Sequence, residues 1–436
     1  MKKLNITFCS YPDYSGNGRA FYEYMKKNYP NLYNYTWIFT DKKSIDKYKN
    51  EVNSILIGTD KFNKYIPKTD IFFTTHINLA GDKAKTKNAF YVELGHGIGP
   101  KPGGYLIDNL SKKEYDWTKF TSSVIDYTVV PSDFWAVLSS SATGIEHKRC
   151  LSIGFPKLDY LVKKDAPARL SKLVGTDVKN FSKILFYLPT FRKGCGRKNK
   201  YDSFINLLNL DDYNENDLIK YLEKNNFLLI IKKHPSEETE FNCDLPSKNI
   251  IEIKQKDLLS SGYDLNEILP TADLLITDYS SVAVEFSFLE KPVIFISSDL
   301  DKYESQRGII FKNYDFWTNG ESVHEYVELI KLFDKYLLHD YKINNNILAK
   351  KKLLFSDLKD GGCKNIYNYF FKDGRLQKYL THNNKSKEIE ENIKLRVQNK
   401  EQEETIKKLY ESKLRLDEIE QSRLWKLCEK LRRHKK

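Results

Sequence analysis

The sequence predicts an α/β protein of two Rossmann-like domains facing a central cleft, followed by a C-terminal helical tail. Three observations predict it. Short β-type runs alternate with helical stretches, which is the pattern of parallel sheets with crossover helices. Those runs fall into two series separated by a polar stretch holding Pro167 and Gly175. At 436 residues the chain is also too long for one hydrophobic core.

The first series reads "LNITFCS", "YTWIFT", "SILIG", "IFFTTH", "FYVELGH" and "YTVVPS", and defines a first domain over 1–161. A linker is expected over 162–183. The second series, "KILFYLPT", "FLLIIKKHP", "NIIEI", "LLITDYSS" and "PVIFISS", defines a second domain over 184–380. Beyond Thr381 the composition shifts to Lys, Glu, Asn and Gln, while Ile389, Ile393, Val397, Ile406, Leu409, Leu416, Leu424 and Leu431 keep an imperfect heptad. The tail over 381–436 is therefore expected to be helical, either a coiled-coil seam joining copies of the chain or a basic amphipathic helix on an anionic membrane.

Composition narrows the function classes. Six cysteines, Cys9, Cys150, Cys195, Cys243, Cys363 and Cys428, are scattered without a C-x-x-C pair, which argues against a zinc site or a disulfide framework. No run of eighteen apolar residues occurs, and the start carries no signal-peptide pattern. A cytosolic protein is expected. The net charge of +12 implies an anionic partner without choosing among nucleic acid, a phosphorylated polymer and the inner membrane face.

The chemistry-bearing residues cluster in turns that follow strands. In "LLITDYSSVAVEF" the apolar run Leu274–Ile276 reads as a strand covered on both faces, and a helix is expected from Val282. Asp278, Tyr279, Ser280 and Ser281 then occupy a strand-to-helix turn, where an open α/β sheet binds anions. A simple helix cap at Ser281 is the alternative reading. "YVELGHGIGPKPGG" sets His96 after a strand among glycines, with Gly97 beside it and Lys101 available for phosphate. "LPTFRKG" supplies Arg192, "IIKKHPSE" supplies Lys232 and His234, and "LDKYESQRG" supplies Arg307. Two halves carrying these turns would converge on a diphosphate.

Together these residues resemble the CDP-glycerol:poly(glycerophosphate) glycerophosphotransferases, which build teichoic acids and related capsule polymers. That family's HG-x-P-x-K-x-x-G is similar to "HGIGPKPGG", its A-P-T-W-R to "LPTFR" and its K-x-H-P to "KKHP". Its long T-D-Y-S-S-V to R-G signature resembles "TDYSSVAVEFSFLEKPVIFISSDLDKYESQRG", and weaker likeness extends to "DYSGNGRAFYEYM" and "DLKDGGCKNIYNYF". Gly99 replaces the family's usual proline, Phe191 its tryptophan and Glu285 its aspartate.

The resemblance implies a glycosyltransferase-B-like fold and transfer of a polyol phosphate, with glycerol ahead of ribitol, from a CDP-polyol to a lipid-linked or polymeric acceptor, releasing CMP. His96 and His234 are then the catalytic candidates. Arg192, Lys232, Ser280, Ser281 and Arg307 are expected on the donor diphosphate. Glu285 is expected at the ribose, and Asp278 is expected to orient a neighbouring cation. Asn17, Arg19, Gly97 and Lys101 are expected on the acceptor side. No metal or other cofactor and no nucleic acid is expected, and the enzyme should work peripherally at the inner face of the cell membrane. A nucleotide-sugar glycosyltransferase of the same fold and a non-catalytic basic scaffold are the rival readings.

Overall fold

The structure, a computed structural model, describes residues 3–76, 89–97, 99–192, 204–234, 246–318, 321–339, 341, 345–356 and 361–373. The chain divides into two units, 1–366 and 367–436. In the second unit only 367–373 are described, including the π-helical turn Asn368–Lys372. The tail expected over 381–436 lies outside the described residues.

The first unit holds two wholly parallel sheets. One orders its strands β3-β2-β1-β4-β5-β6-β7, with β1 Asn5–Cys9, β2 Asn34–Phe39, β3 Ser54–Leu56, β4 Ile71–Thr74, β5 Phe90–Glu93, β6 Tyr127–Val130 and β7 Cys150–Ser152. The other orders them β10-β9-β8-β11-β12-β13, with β8 Lys183–Leu188, β9 Phe227–Ile231, β10 Ile250–Glu252, β11 Leu274–Thr277, β12 Val293–Ile296 and β13 Ser322–Val323. Apolar runs such as "FLLII" form central strands because both faces are covered, and every residue of β9 and β11 is buried. The first core is aromatic: Phe8 stacks on Trp37 at 5.9 Å and on Phe73 at 5.4 Å. The second is mainly aliphatic, with Leu185, Leu222, Leu229, Ile276 and Ile294 at its centre.

Strand order reverses between β1 and β4 in one sheet and between β8 and β11 in the other. Open α/β sheets bind ligands outside the carboxyl ends of the strands at such switch points. His76 follows β4, and Thr190 and Asp278 follow β8 and β11.

Two expected boundaries change. The polar stretch 162–183 is not a free linker, because Ala166–Val174 is a helix with Pro167 in its first turn and Gly175 left-handed at its end. Pro and Gly punctuate that helix rather than excluding one. Part of the stretch expected in the second domain also packs elsewhere. Ser132 Oγ bonds the Leu353 carbonyl, Ser356 N–H bonds the Pro131 carbonyl, and Gly362 and Cys363 N–H groups bond Asp159, so 353–363 return to the first sheet. Local sequence signals cannot report partners some two hundred residues away.

Salt links cross between the two sheets' domains. Gly16 N–H, at the start of the helix Gly16–Asn28, donates to Asp264 at 2.7 Å. Glu267, 2% exposed, gathers Arg169 at 2.9 Å, Arg19 at 3.4 Å and Lys163 at 3.8 Å.

Candidate active site

On the first domain's side, His96 leaves β5 and is exposed in a crowded recess. Its Nδ1–H donates to the Thr75 carbonyl at 3.2 Å, which fixes the tautomer and leaves Nε2 as the bare ring nitrogen. Burial, then the Lys157 ammonium, lowers its pKa, and the Thr75 bond opposes them. The imidazole is therefore neutral at pH 7, the form that accepts a proton. The His76 ring lies against it, centroids 4.0 Å apart and planes 23° apart.

Lys157, 5% exposed, holds the His96 turn from behind, its ammonium donating to the His96 carbonyl at 2.9 Å and to Glu285 Oε1 at 2.5 Å. The glycines after His96 admit the second domain. A Cβ on Gly97 would stand 3.1 Å from Ser281 Oγ, and one on Gly99 would stand 2.9 Å from Ser281 Cα. Pro100 continues the contact, its carbonyl accepting from Ile310 N–H at 2.7 Å.

On the second domain's side, Ser281 makes no side-chain cap bond, so its hydroxyl is not used by the helix Val282–Ser287 that follows. Ser280 makes only a long 3.4 Å contact with Val282 N–H. His234 is exposed and stacks on Phe191 at 4.3 Å. An aromatic at 191 thus serves as the wall for this histidine. Burial, then Lys232 and Lys101, lowers His234 to about 4. The unliganded imidazole is therefore neutral at pH 7. Lys101 acts on His234 from the other domain, so the glycine-rich loop and the "KKH" turn face one another. Arg307 ends the helix Leu300–Arg307, half-buried, with no side-chain bond to a described residue.

Several sequence assignments change at this point. Arg192, 2% exposed, cannot reach a donor diphosphate. It forms a two-point pair with Asp299 at 2.7 and 3.2 Å, an ion pair with Asp278 at 2.9 Å, and a bond to the Thr190 carbonyl at 2.7 Å. Asp278, expected to orient a neighbouring cation, does so through that pair with Arg192, and it also accepts from Thr190 N–H at 2.9 Å, which braces β8 against β11. Glu285, 7% exposed and closed over by Lys157, is the counter-ion of that lysine and not a ribose ligand. Asn17 is fully buried, its amide donating to the Leu94 and Gly95 carbonyls and accepting from Lys157 N–H. Arg19 pairs with Glu23 and Glu267. Asn17 shapes the His96 turn, and Arg19 joins the domains.

His96, His234, Lys101, Lys232, Ser280, Ser281, Gly97 and Arg307 remain around the recess. Sequence reasoning missed Lys157, Thr75 and His76. The signal for His76 was present, since "IFFTTH" ends a strand in histidine as "YVELGH" does. Among the described residues no group of three His, Cys, Asp or Glu could hold a metal ion, and no helix is long and apolar enough to cross a membrane.

Comparison with known proteins agrees with this geometry. The family model for CDP-glycerol:poly(glycerophosphate) glycerophosphotransferase matches residues 1–372. The teichoic acid glycerol-phosphate primase of Bacillus subtilis is 30% identical over 295 residues, 66% of this chain and 70% of that protein. The teichoic acid poly(glycerol phosphate) polymerase of Bacillus spizizenii is 26% identical over 79% of this chain and 86% of its own length. A Staphylococcus aureus ribitol-phosphate polymerase, TarL, is 26% identical over 88% of this chain and 63% of its own. A solved structure of the wall teichoic acid polymerase TagF, 22% identical, superposes with a TM-score of 0.68 over 87% of this chain and 91% of that one, so the two-sheet fold is shared. With two parallel-sheet domains, histidines at strand ends on both sides of the recess and a family match across 1–372, the chain is a member of the CDP-glycerol:poly(glycerophosphate) glycerophosphotransferase family.

Proposed function

We propose that the protein transfers glycerol phosphate from CDP-glycerol to a hydroxyl of a lipid-linked or polymeric acceptor, releasing CMP, in the synthesis of a teichoic acid-like or capsule polymer. The observation that carries this reading is His96: a neutral imidazole with its Nδ1–H spent on a carbonyl and its Nε2 bare, beside the Ser281 hydroxyl and the Lys101 loop. Such a group takes a proton from a hydroxyl. The acceptor oxygen forms a bond to the phosphorus bearing glycerol, the bond from that phosphorus to the CMP oxygen breaks, and the hydroxyl proton passes to His96 Nε2.

The departing phosphate gains negative charge, and in this reading Lys101, Lys232, His234 and Arg307 stabilise it with the serine hydroxyls. Binding a diphosphate raises the His234 pKa from about 4, because the anion favours the imidazolium that the lysines disfavour. These cations act in place of a metal, so turnover should survive chelation. Glycerol is favoured over ribitol because the relative at 30% identity is a glycerol-phosphate enzyme.

CMP release from CDP-glycerol in the presence of acceptor tests the reading. His96→Ala should lower turnover by about 10²–10⁴-fold with CDP-glycerol affinity hardly changed. His234→Ala should instead weaken donor binding. Near-normal turnover by folded His96→Ala protein would remove the base assignment, and calorimetric binding of a UDP-sugar but not CDP-glycerol would favour sugar transfer. The basic run "SRLWKLCEKLRRHKK" supports a peripheral place on the anionic inner face of the membrane. Sedimentation with anionic liposomes, full chain against chain ended at Thr381, checks it. Unchanged binding would exclude the tail as anchor.

A further inference from the structure

We infer that His76 is a second acceptor contact, and that with His96 it selects acceptor ends carrying two neighbouring hydroxyls. The inference rests on the proposed role of His96 and extends it to the class of acceptor. His76 follows β4 at the switch point of the first sheet, the place where an open parallel sheet presents its ligands.

The geometry pairs the two rings. Both Nδ1 atoms are held by one residue: His96 Nδ1 by the Thr75 carbonyl at 3.2 Å and His76 Nδ1 by the Thr75 hydroxyl at 3.0 Å. The rings are nearly parallel with centroids 4.0 Å apart. With each Nδ1 turned to Thr75, each ring keeps its Nε2 for a ligand.

Their protonation differs. A carbonyl only accepts, so His96 carries its hydrogen on Nδ1 and offers a bare Nε2. The Thr75 hydroxyl accepts from Tyr11 N–H at 3.3 Å and lies 3.0 Å from His76 Nδ1, and the diol contact requires the tautomer in which this hydroxyl donates to that nitrogen. In that tautomer His76 carries its hydrogen on Nε2. Its backbone is fixed too, because Thr74 Oγ1 donates to the His76 carbonyl at 2.9 Å and accepts from its N–H at 3.2 Å. An acceptor and a donor on two rings stacked with centroids 4.0 Å apart suit a vicinal diol, whose two oxygens are held close together. His96 takes the proton of the attacking hydroxyl while His76 donates to the oxygen on the next carbon. The polyol-phosphate end of a growing chain has this chemistry, and an isolated hydroxyl does not.

The experiment compares two soluble acceptors: a glycerol-phosphate oligomer ending in a 1,2-diol, and the same oligomer ending in propane-1,3-diol, which lacks the neighbouring hydroxyl. The full-length enzyme should prefer the diol by about 3–10-fold in kcat/KM, the usual weight of one neutral hydrogen bond. His76→Phe keeps an aromatic ring in the stack and removes the donor, and should bring the ratio of kcat/KM for the diol to that for the deoxy acceptor down to about one, whatever it does to the two rates together. His76→Gln restores an N–H donor and should restore part of the preference. Equal losses on both acceptors, or a preference that survives in His76→Phe with an unchanged melting temperature, would overturn the inference. His96→Ala run alongside separates the two claims: if it lowers turnover on both acceptors while His76→Phe leaves the preference intact, the base assignment stands and the diol contact falls.

Discussion

The two switch points handle charge in opposite ways. At the second, Arg192, Asp278 and Asp299 form a buried network in which each charge has an opposite partner, and Tyr279 OH adds a bond to Asp299 at 2.9 Å. At the first, two neutral imidazoles stack in a recess, and Glu93 at the end of β5 has only the Thr128 hydroxyl at 3.2 Å. A saturated charge holds position and cannot act on a substrate without breaking its bonds. An unsaturated group can. The second switch point is therefore a brace, and the first presents groups able to exchange a proton.

The sharpest way to break this comparison is at Arg192. Arg192→Met leaves the buried Asp278 and the half-buried Asp299 without their cation, and removing one partner of a buried pair costs about 3–5 kcal/mol. Urea unfolding should show that loss, and activity should fall only as the folded fraction falls. A variant of near-normal stability with selectively weakened CDP-glycerol affinity would return Arg192 to the diphosphate. The next effect is smaller. Lys157→Met strips Glu285 of its partner, but burial already raises the Glu285 pKa, so the carboxyl escapes part of the cost by taking up a proton. A loss of about 1–3 kcal/mol is expected, with reduced turnover because the His96 carbonyl loses its donor. Weaker donor binding without any loss of stability would instead make Lys157 a substrate ligand.

The contrast between brace and site was only half legible in the sequence. Strands covered on both faces give continuous apolar runs, so β8, β9, β11 and β12 stand out, and polar residues breaking those runs mark the strand ends. Position along the chain does not report saturation. Arg192 and Arg307 both read as cations at turns, yet one has Asp299 more than a hundred residues away closing on it and the other has no described partner. The signal for the difference lay in the acids, with Asp278 and Asp299 each following a strand. Lys157 in "GFPKLDY" resembles any loop lysine, and its meaning depends on Glu285, 128 residues further along the chain. His76 repeats the strand-then-histidine pattern of His96, but the shared anchor on Thr75 exists only once β4 and β5 are paired.

Glu93 sharpens the comparison with the smallest expected effect. Burial raises its pKa to about 7 from an ordinary value of 4.5, opposed only by the Thr128 hydroxyl. The folded protein thus holds this proton more tightly than the unfolded chain. Below about pH 4.5 both states are protonated and the group is neutral in effect. As pH rises through the interval up to about 7, the unfolded chain releases the proton first, so folding stability falls; above that the penalty is constant. Its size is about 1–3 kcal/mol, on the scale of roughly 1.4 kcal/mol per pKa unit. Glu93→Gln cannot ionise. Its stability advantage over the parent should therefore grow by that amount between pH 5 and pH 8, measured as the difference in urea unfolding free energy at each pH. Any fixed cost of the amide cancels between the two pH values. No such growth would mean that the carboxylate is compensated as fully as Asp278 and Asp299 are, and the two strand ends would no longer differ in kind.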